Sequence, residues 1–538
     1  MDRDLGRLAD EEFDVIVAGG GVYALTVAQE LASRDLRVAI LERNDFAGAT
    51  SFNSLKTIHG GIRALQHGAL GELRQFVQER RAFARLAPHL VRPLPFIVPT
   101  YRHPIRNRAA MALFLAVYNR LARGRNDGVD PSRVLPRSRT VGRAECLRLN
   151  PAIDPAGVTG GAIWHDYQLH SPERFAMALL RSACEAGAAA ANYVQVTSFL
   201  IRDGAVFGVR AHDALSKSEL EIRGRVIVNA TGPWAWDVLT QAGLTPSAPA
   251  PTFSLAMNIV VSRPPLSHAV GGLAGGRFLF MVPWRDRSII GTSHEEYTGS
   301  NPAPETTADR LRRLLQDAAT ALPGAAIGPA DIRLVHRGLL PSVRTHRAEG
   351  LAKRSLVHDH RQDGVRGLLT VVGVRYTTAG ATAREAADRA CALLGRRAAA
   401  RREARRPLAG GDIPNLVDYE RHEIARSGLP AGLVRRLIAG YGTGYAALAE
   451  RAASDPCLSR PLAEGCAVTG AEIEHAVRHE MAVHLGDALL RRTEAGTAGH
   501  PGPAAVTAAA AIMGKLLSWT PARVDEEIAA VDAFYAMS

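Results

Sequence analysis

The chain has 538 residues, 47% of them hydrophobic and 22% charged, which argues against a small disulfide-stabilised protein and predicts two or three globular domains. Its formal net charge of +12 comes without a zinc-finger, RRM or homeodomain pattern, which argues against nucleic acid as a partner. The five cysteines form no Cys-X-X-Cys pair, so a disulfide framework or a zinc site is disfavoured and a reducing cytoplasm is expected.

The first predicted element is a buried strand at residues 15–17 that breaks into three glycines and restarts as a helix. Gly19 permits the tight turn, Gly21 lets the backbone approach a pyrophosphate, and Ala24 takes a helix-packing position. The residues before this strand are charged and number only about a dozen, which leaves no room for a signal peptide. This pattern predicts a dinucleotide site at the start of the chain.

A second predicted strand, residues 36–41, ends at Glu42, whose carboxylate can accept hydrogen bonds from a ribose diol. Residues 46–63 then combine small hydroxyl residues with glycines, which offer backbone N–H groups and hydroxyls to phosphates and to a flat ring system. Strand, turn, helix, strand and acid arrive in the order of a Rossmann-type site, which an ordinary glycine turn would not produce.

Part of this segment resembles a known family. Residues 49–51, Ala-Thr-Ser, and 56–63, Lys-Thr-Ile-His-Gly-Gly-Ile-Arg, resemble the flavin-contacting signature of FAD-dependent glycerol-3-phosphate dehydrogenases, within the group related to D-amino-acid oxidase. Later segments resemble the same family in the expected order: 228–234, 280–284, 289–292, 373–378, 474–481 and 490–493. The resemblance implies an α/β fold, with a Rossmann-type FAD-binding domain interleaved with a β-rich substrate domain and followed by a C-terminal α-helical domain.

The resemblance and the coarse pattern together imply a division of the chain into three regions. We expect an FAD-dependent oxidoreductase body at 1–395, an Arg-rich linker at 396–414 and a C-terminal helical domain at 415–538. Within the body, the FAD-binding and substrate-domain segments alternate. The expected segments are 10–90, 165–240 and 345–395 for the FAD-binding domain, and 91–164 and 241–344 for the substrate domain.

Within the body, the apolar spacing predicts helices at 70–86 and 171–186. Residues 192–209 are predicted to return to strands of the FAD-binding domain, and the resemblance implies that Val196 presents backbone groups to the adenine. Residues 250–345 are predicted to be rich in β-strands.

Two basic segments bear on possible partners. Residues 109–117 are apolar and flanked by arginines, a run too short to cross a bilayer, which needs about 20 residues. This segment is interpreted either as a buried helix or as a helix in the headgroup region of a membrane, with arginines on anionic lipid. The flanking arginines are Arg102, Arg106, Arg108, Arg120, Arg123 and Arg125. A cytoplasmic protein, or one peripheral on the inner face of the membrane, is therefore expected.

The second basic segment is interpreted as a solvated helix end and linker between the body and the C-terminal domain. It contains Arg396, Arg397, Arg401, Arg402, Arg405 and Arg406.

In the C-terminal domain, apolar residues recur at helical spacing from residue 473 to residue 489. They are Ile473, Val477, Met481, Leu485 and Leu489. The stripe is interpreted as core that packs this domain on itself or on a partner, which leaves a homodimer open.

The resemblance implies FAD as the cofactor and assigns roles residue by residue. His59 is the first candidate for a base or orienting group, and Arg63 and Arg375 are candidates to hold an anionic group of the substrate. His294 is a further catalytic candidate. The implied cofactor-binding residues are Gly19, Gly21, Ala24, Glu42, Arg43, Thr50, Ser51, Lys56, His59, Gly60, Gly61, Val196, Thr231, Gly232, Gly373, Tyr376 and Thr377. The implied substrate-binding residues are Arg63, Asn258, Leu340 and Arg375.

The sequence departs from its relatives where they bind substrate. Ala64 replaces a tyrosine, Asn258 a histidine and Leu340 an arginine, while Arg375 replaces the lysine of the closing loop. Asn258 cannot act as a base and Leu340 cannot bind an anion. These changes predict a conserved reaction type with an altered, anionic or hydroxylated small-molecule substrate.

The leading hypothesis is an FAD-dependent dehydrogenase that transfers hydride from a secondary alcohol to flavin N5 and passes electrons to quinone or another acceptor. The alternatives are an authentic glycerol-3-phosphate dehydrogenase, an amine or amino-acid oxidase that uses oxygen, and a non-catalytic flavin-bound partner protein. The flavin is expected to be noncovalent, and no metal motif stands out.

Overall fold

The computed structural model describes residues 1–262, 266–297, 299, 307–345, 348–396 and 406–536, without the side chains of 344–350. Of the arginines assigned to the linker, Arg397, Arg401, Arg402 and Arg405 lie outside the described residues.

The strands follow in chain order. They are β1 (Glu12–Ala18), β2 (Val38–Leu41), β3 (Thr57–Ile58), β4 (Val91–Tyr101), β5 (Arg139–Gly142), β6 (Val158–Leu169), β7 (Ala189–Ala191), β8 (Val194–Arg202), β9 (Ala205–Asp213), β10 (Glu219–Asn229), β11 (Thr252–Val261), β12 (Ala269–Ala274), β13 (Arg277–Trp284), β14 (Arg287–Tyr297), β15 (Ile332–Thr345), β16 (Ala348–Leu351), β17 (Leu356–Asp359), β18 (Leu368–Val372), β19 (Pro461–Ala463) and β20 (Cys466–Thr469).

The α-helices alternate with these strands and then dominate the C-terminal region. They are α1 (Leu5–Asp10), α2 (Val22–Ala32), α3 (Ile62–Gln66), α4 (Leu70–Leu86), α5 (Arg108–Leu121), α6 (Arg143–Leu149), α7 (Pro172–Glu185), α8 (Ala235–Gln241), α9 (Ala308–Ala321), α10 (Ala379–Leu393), α11 (Leu416–Ser427), α12 (Ala431–Tyr441), α13 (Tyr445–Ser454), α14 (Pro456–Ser459), α15 (Gly470–Glu480), α16 (Leu485–Asp487), α17 (Pro503–Leu517) and α18 (Pro521–Ala536).

The first sheet has the order β17-β18-β10-β1-β2-β7, and β9 and β8 extend it from β10. β18, β10, β1, β2 and β7 run parallel. β1 is apolar along nearly its whole length because both of its faces are covered. Val15 and Val17 pack in the core that holds α2, α7 and α10, whereas Ile16 and Ala18 pack in the core on the opposite face.

The second sheet has the order β16-β15-β11-β14-β13-β12-β4-β6-β3, with β5 paired to β6. Its pairs are antiparallel except β12 with β4. Its apolar face packs against α6 and α9. The two sheets and the C-terminal helices confirm the α/β class with an interleaved second domain. β3 lies within residues 10–90, which were assigned to the FAD-binding domain, but it pairs with β6 in the second sheet. The domain boundaries stay predictions.

Two of the predicted helices match the structure closely. α4 has the predicted bounds of 70–86, and α7 lies one residue inside the predicted range of 171–186 at each end. Ser171 caps α7 by accepting from the backbone N–H of Arg174, which explains where that helix begins.

The apolar stripe predicted in the C-terminal domain does pack as core, but it does not lie on one helix or in one core. α15 ends at Glu480 because Met481 adopts the left-handed conformation, with φ 56°. A short helix and a π-helical turn, Ala488–Arg492, follow. Ile473, Leu485 and Leu489 do share one core, but Met481 packs in the core of the first sheet, so it joins the C-terminal region to the body.

α5, which contains the apolar part of the first basic segment, is buried on one side only, and its contact with a membrane stays a prediction. Leu115 and Tyr118 anchor one side of the helix in the protein, whereas Leu113 is 70% exposed and Val117 is 43% exposed. Ile105, just before the helix, is 71% exposed. Among the residues that the structure describes, no helix combines the length and the apolar character that a bilayer crossing requires.

Candidate active site

A cavity of about 2020 Å³ lies at the carboxyl ends of the parallel strands. Ala18, Leu41, Ala230 and Val372, at or just after the ends of β1, β2, β10 and β18, form part of its wall. This is where open α/β sheets bind dinucleotides. The cavity continues to β11 and β13–β16 of the second sheet, so it has room for a dinucleotide and a second small molecule.

The glycines at the end of β1 fit a dinucleotide. Gly19 has φ 112°, and a Cβ atom there would lie 2.6 Å from the carbonyl oxygen of Ala230. Gly21 caps α2, whose N-terminus opens on the cavity, and Ser51 Oγ accepts a hydrogen bond from the backbone N–H of Val22 at 2.9 Å. The loop therefore brings the backbone and the helix N-terminus to the position where a pyrophosphate binds.

Glu42 lies on the cavity wall at the end of β2. Its carboxylate accepts hydrogen bonds from the backbone N–H groups of Gly20, at 2.6 Å, and Asn44, at 2.8 Å. Burial raises the pKa of the Glu42 carboxyl, although these two donors oppose the shift. The contact of Glu42 with a ribose stays a prediction.

Most of the other predicted cofactor residues also line the cavity. They are Arg43, Thr50, Ser51, Lys56, His59, Gly61, Val196, Thr231, Gly232, Gly373, Tyr376 and Thr377. Ala24 is buried in the core behind the glycine loop, and Gly60 faces the protein interior. The Lys56 ammonium turns inward to the carboxylate of Glu173, at 3.2 Å, so this charge is not directed at a cofactor.

Two wall residues come from the C-terminal domain and were missed. Arg491, in the π-helical turn, and Phe534, in α18, line the same cavity. Arg491 pairs with Asp45, while the Phe534 ring packs edge-on against Phe52 of the predicted flavin segment. No sequence signal could locate them, because more than 400 residues separate each from its contact in the chain.

The predicted flavin loop and the closing loop meet on one side of the cavity. The backbone N–H of His59 donates to Thr377 Oγ1 at 3.1 Å. Gly373 packs on the ring of Tyr23, which a Cβ atom would approach to 2.1 Å. The Tyr23 hydroxyl donates to the carbonyl of Arg375 at 2.7 Å. These contacts fix the two loops against α2.

Two arginines assigned to anion binding differ in their surroundings. Arg63 forms no hydrogen bond or ion pair with any residue in the described part of the chain, and its guanidinium lies at the cavity wall. Arg375 also lines the cavity, but its guanidinium pairs with Glu72 and lies over the ring of Phe76. Arg63 is therefore the better placed of the two to receive an anion.

His294 lies on β14 at the substrate side of the cavity. Burial lowers its pKa to about 4, and the guanidinium groups of Arg277 and Arg63 act in the same direction. The imidazole is therefore neutral at neutral pH, and it carries a lone pair that can accept a proton.

The residues that replace the polar groups of relatives also meet in this region. Asn258 Oδ1 accepts a hydrogen bond from the Thr292 hydroxyl at 2.7 Å, so the amide is engaged within the protein. Leu340 and Ala64 add apolar surface to the wall. Four aromatic residues also line the cavity, namely Phe96, Trp164, Phe278 and Phe280.

The structure brings one His and Asp cluster together that the sequence did not indicate. His358 Nε2 and His360 Nδ1 lie 2.6 Å and 2.8 Å from the same oxygen of Asp363. The other oxygen of Asp363 accepts from the backbone N–H of Ser247. These hydrogen bonds satisfy the cluster internally, and it lies outside the cavity wall.

Comparisons with known proteins agree with this geometry. The family model for FAD dependent oxidoreductases matches residues 14–389, and the model for the C-terminal domain of alpha-glycerophosphate oxidase matches residues 402–524. A glycerol-3-phosphate dehydrogenase of Mycobacterium leprae is 32% identical over 534 residues, which cover 98% of this chain and 88% of that protein. One from Synechocystis is 27% identical, covering 91% and 90%.

Solved structures share the fold. The glycerol-3-phosphate dehydrogenase of Bacillus halodurans, complexed with FAD, superposes with a TM-score of 0.78 at 21% identity, covering 99% of this chain and 96% of that one. The L-alpha-glycerophosphate oxidase of Mycoplasma pneumoniae, with FAD bound, superposes with a TM-score of 0.54 at 17% identity, covering 72% and 95%.

Proposed function

This chain belongs to the FAD-dependent oxidoreductase family, and we propose that it oxidises an anionic secondary alcohol, either glycerol 3-phosphate or a bulkier relative of it. The observation that carries the proposal is the guanidinium of Arg63, which has no partner among the described residues and shares one cavity with His59 and His294. The names of the similar curated proteins support the reaction type, since they are glycerol-3-phosphate dehydrogenases.

FAD, when bound, accepts the hydride from the substrate carbon. The protein has to hold the anion, orient the carbinol carbon and take up the hydroxyl proton. Arg63 binds the anionic group, because its planar fork matches a phosphate or carboxylate. Arg375 assists only if it leaves Glu72, since that carboxylate already neutralises it.

His294 or His59 accepts the hydroxyl proton of the substrate. For His294, the nearby charges make its basicity depend on whether the anionic substrate is bound. The guanidinium of Arg63 helps to keep the His294 imidazole neutral. An anion bound at Arg63 offsets that positive charge and makes His294 a stronger base once the substrate is in place.

A substituent larger than glycerol fits the apolar side of the cavity. Phe278 and Phe280 line that side, and elsewhere on the wall Leu340 and Ala64 stand where the resemblance implies a cation and an aromatic ring. Burial of apolar substrate surface there contributes about 25 cal/mol per Å². We therefore propose an anionic head on Arg63 and an apolar substituent along the aromatic wall.

The test of this function is anaerobic reduction of the bound flavin. Glycerol 3-phosphate and analogues with alkyl or aryl substituents are mixed with the FAD-loaded protein, and the oxidised-flavin band is followed. Bleaching by a phosphorylated alcohol supports the proposal, and R63A should abolish it at low substrate concentration. R74A, an exposed arginine in α4 outside the cavity wall, is the matched control.

The other outcomes identify the alternatives. Fast bleaching by glycerol 3-phosphate itself shows that the changes at Ala64, Asn258 and Leu340 are tolerated. Bleaching by amines with release of peroxide in air supports an amine oxidase and overturns the alcohol proposal. A flavin that no substrate reduces supports a non-catalytic role.

We further propose that the exposed face of α5 contacts an anionic membrane, where a quinone acceptor is available. Ile105, Leu113 and Val117 form its apolar surface, and arginines flank it on both sides along the chain. Basic residues near an anionic bilayer each contribute about 1 kcal/mol.

Sedimentation with vesicles tests this contact. Phosphatidylglycerol vesicles should bind the protein, phosphatidylcholine vesicles should bind it less, and L113D should reduce binding. L215D, at an exposed leucine on another surface, is the matched control. Equal sedimentation of L113D and the unmodified chain would refute the contact between α5 and the membrane. If the unmodified chain is a dimer and L113D is not, this face is a homodimer interface instead.

A further inference from the structure

Asp166 lies directly beneath the predicted flavin loop and was not anticipated from the sequence. Its side chain is 2% exposed, and it still contributes to the cavity wall. One carboxylate oxygen, Oδ1, accepts from the backbone N–H of Gly60 at 2.7 Å and from Arg80 Nη1 at 2.5 Å. Arg80 passes through the space that a side chain at residue 60 would occupy.

The second oxygen, Oδ2, faces the imidazole of His59. It lies 3.7 Å from His59 Nδ1 and 3.4 Å from Trp164 Nε1. The first distance is longer than a hydrogen bond, but contacts of this kind commonly tighten when a substrate binds. Nδ1 is the ring nitrogen paired with Asp166, and the His59 side chain is half exposed and lines the cavity.

We propose that Asp166 is a positioning residue, which orients the His59 imidazole and holds it in the tautomer with the proton on Nδ1 and a free lone pair on Nε2. An ionised carboxylate only accepts hydrogen bonds, so the nitrogen that faces it has to carry a proton. The other nitrogen of a neutral imidazole is then an acceptor, directed at the cavity.

His59 and Arg80 together keep this carboxylate ionised. Burial by itself would raise the pKa of Asp166, but His59 and Arg80 outweigh it and hold the pKa below its ordinary value. Tyr118 also belongs to this cluster, since its hydroxyl lies 3.3 Å from Arg80 Nη1 and 3.4 Å from the carbonyl of Gly60. The side chain of His165, whose carbonyl accepts from Arg80 Nη1, is a further titratable group nearby. The loop, the guanidinium and the carboxylate therefore form one buried support for His59.

This role deepens the proposed function, because a His59 with a free Nε2 can take up the hydroxyl proton of an alcohol. The test is therefore chosen to work without any substrate. In FAD-loaded protein labelled with ¹⁵N-histidine, the two ring nitrogens of His59 are identified by their loss in H59Q. Their ¹⁵N shifts then report which nitrogen carries the proton.

The unmodified protein should show a protonated Nδ1 and an unprotonated Nε2. D166N presents an amide that can donate to Nδ1, so the population should shift to the opposite tautomer or to a mixture. D130N is the matched control, because Asp130 is a buried aspartate that accepts backbone N–H groups elsewhere, and it should leave the His59 signals unchanged.

The unmodified protein is decisive even if D166N does not fold. A proton on Nε2 of His59 in that protein overturns the proposal, and so does an unchanged tautomer in folded D166N. If an alcohol substrate is found, D166N should lower kcat by up to about 100-fold with little change in KM. If none is found, the tautomer result still stands, so the two proposals can fail separately.

Discussion

The ion pair between Asp45 and Arg492 carries the most specific stability prediction, because it joins the body to the C-terminal domain. Asp45 is 1% exposed at its side chain and Arg492 is fully buried, and two hydrogen bonds of 2.8 Å and 2.6 Å connect them. Burial would raise the pKa of Asp45, but Arg492 and Arg491 outweigh it, so the carboxylate stays charged.

The variant R492M leaves that buried carboxylate with Arg491 as its remaining cation. Breaking a buried ion pair by removing one partner lowers the free energy of unfolding by about 3–5 kcal/mol. Because Arg491 still pairs with Asp45, we expect a loss at the lower end, about 3 kcal/mol. The double variant D45N/R492M removes both charges and should recover part of the loss, since no unpaired charge remains.

Equilibrium urea unfolding of the FAD-loaded protein, followed by tryptophan fluorescence, measures both variants. R421M is the matched control, because Arg421 and its partner Asp418 are exposed and such pairs contribute little. A free energy of unfolding for R492M equal to that of R421M would refute the reasoning. No recovery in the double variant would show that packing, and not charge, is what R492M disrupts.

Three further predictions concern the cofactor, the substrate and acid stability. G19A should lose FAD, because its Cβ would clash with the carbonyl of Ala230. The loss is measured as flavin absorbance per chain. G68A is the control and should keep FAD, because residue 68 also has a positive φ but faces open space. L340R should raise kcat/KM for glycerol 3-phosphate by about 10- to 100-fold, since a charged hydrogen bond contributes about 1.5–3 kcal/mol, and an unchanged value would contradict an anion subsite there. Burial and nearby arginines lower the pKa of His89 from 6.5 to about 3, so the unfolded chain binds a proton that the folded chain rejects. Stability should therefore fall as the pH falls from 6.5 to about 3, and H89F should flatten this part of a plot of melting temperature against pH.

The features predicted well are those that local sequence determines. The glycine turn at Gly19 and the helix at 70–86 follow from backbone conformation and apolar spacing within short windows. The helix end within the C-terminal stripe was not predicted, since Met481 is not a residue that indicates a left-handed helix end.

Contacts between distant parts of the chain could not be predicted from sequence patterns. Asp166 meets His59 across more than 100 residues, and nothing in its neighbourhood on β6 marks it as part of a site. The resemblance assigned Arg375 to anion binding, and it does line the cavity, but its pairing with Glu72 depends on how α4 packs. Sequence patterns identify the elements, whereas the charges that neutralise one another depend on the tertiary structure.

The position of Arg491 and Phe534 on the cavity wall has a consequence for how the protein matures in the cell. A ribosome makes these residues more than 400 positions after the glycine loop at Gly19. A nascent chain can therefore fold its first sheet while one wall of the cavity is still missing. A chain that stops before residue 491 would therefore lack both of these wall residues, so the cavity at the carboxyl ends of the parallel strands would be open on that side.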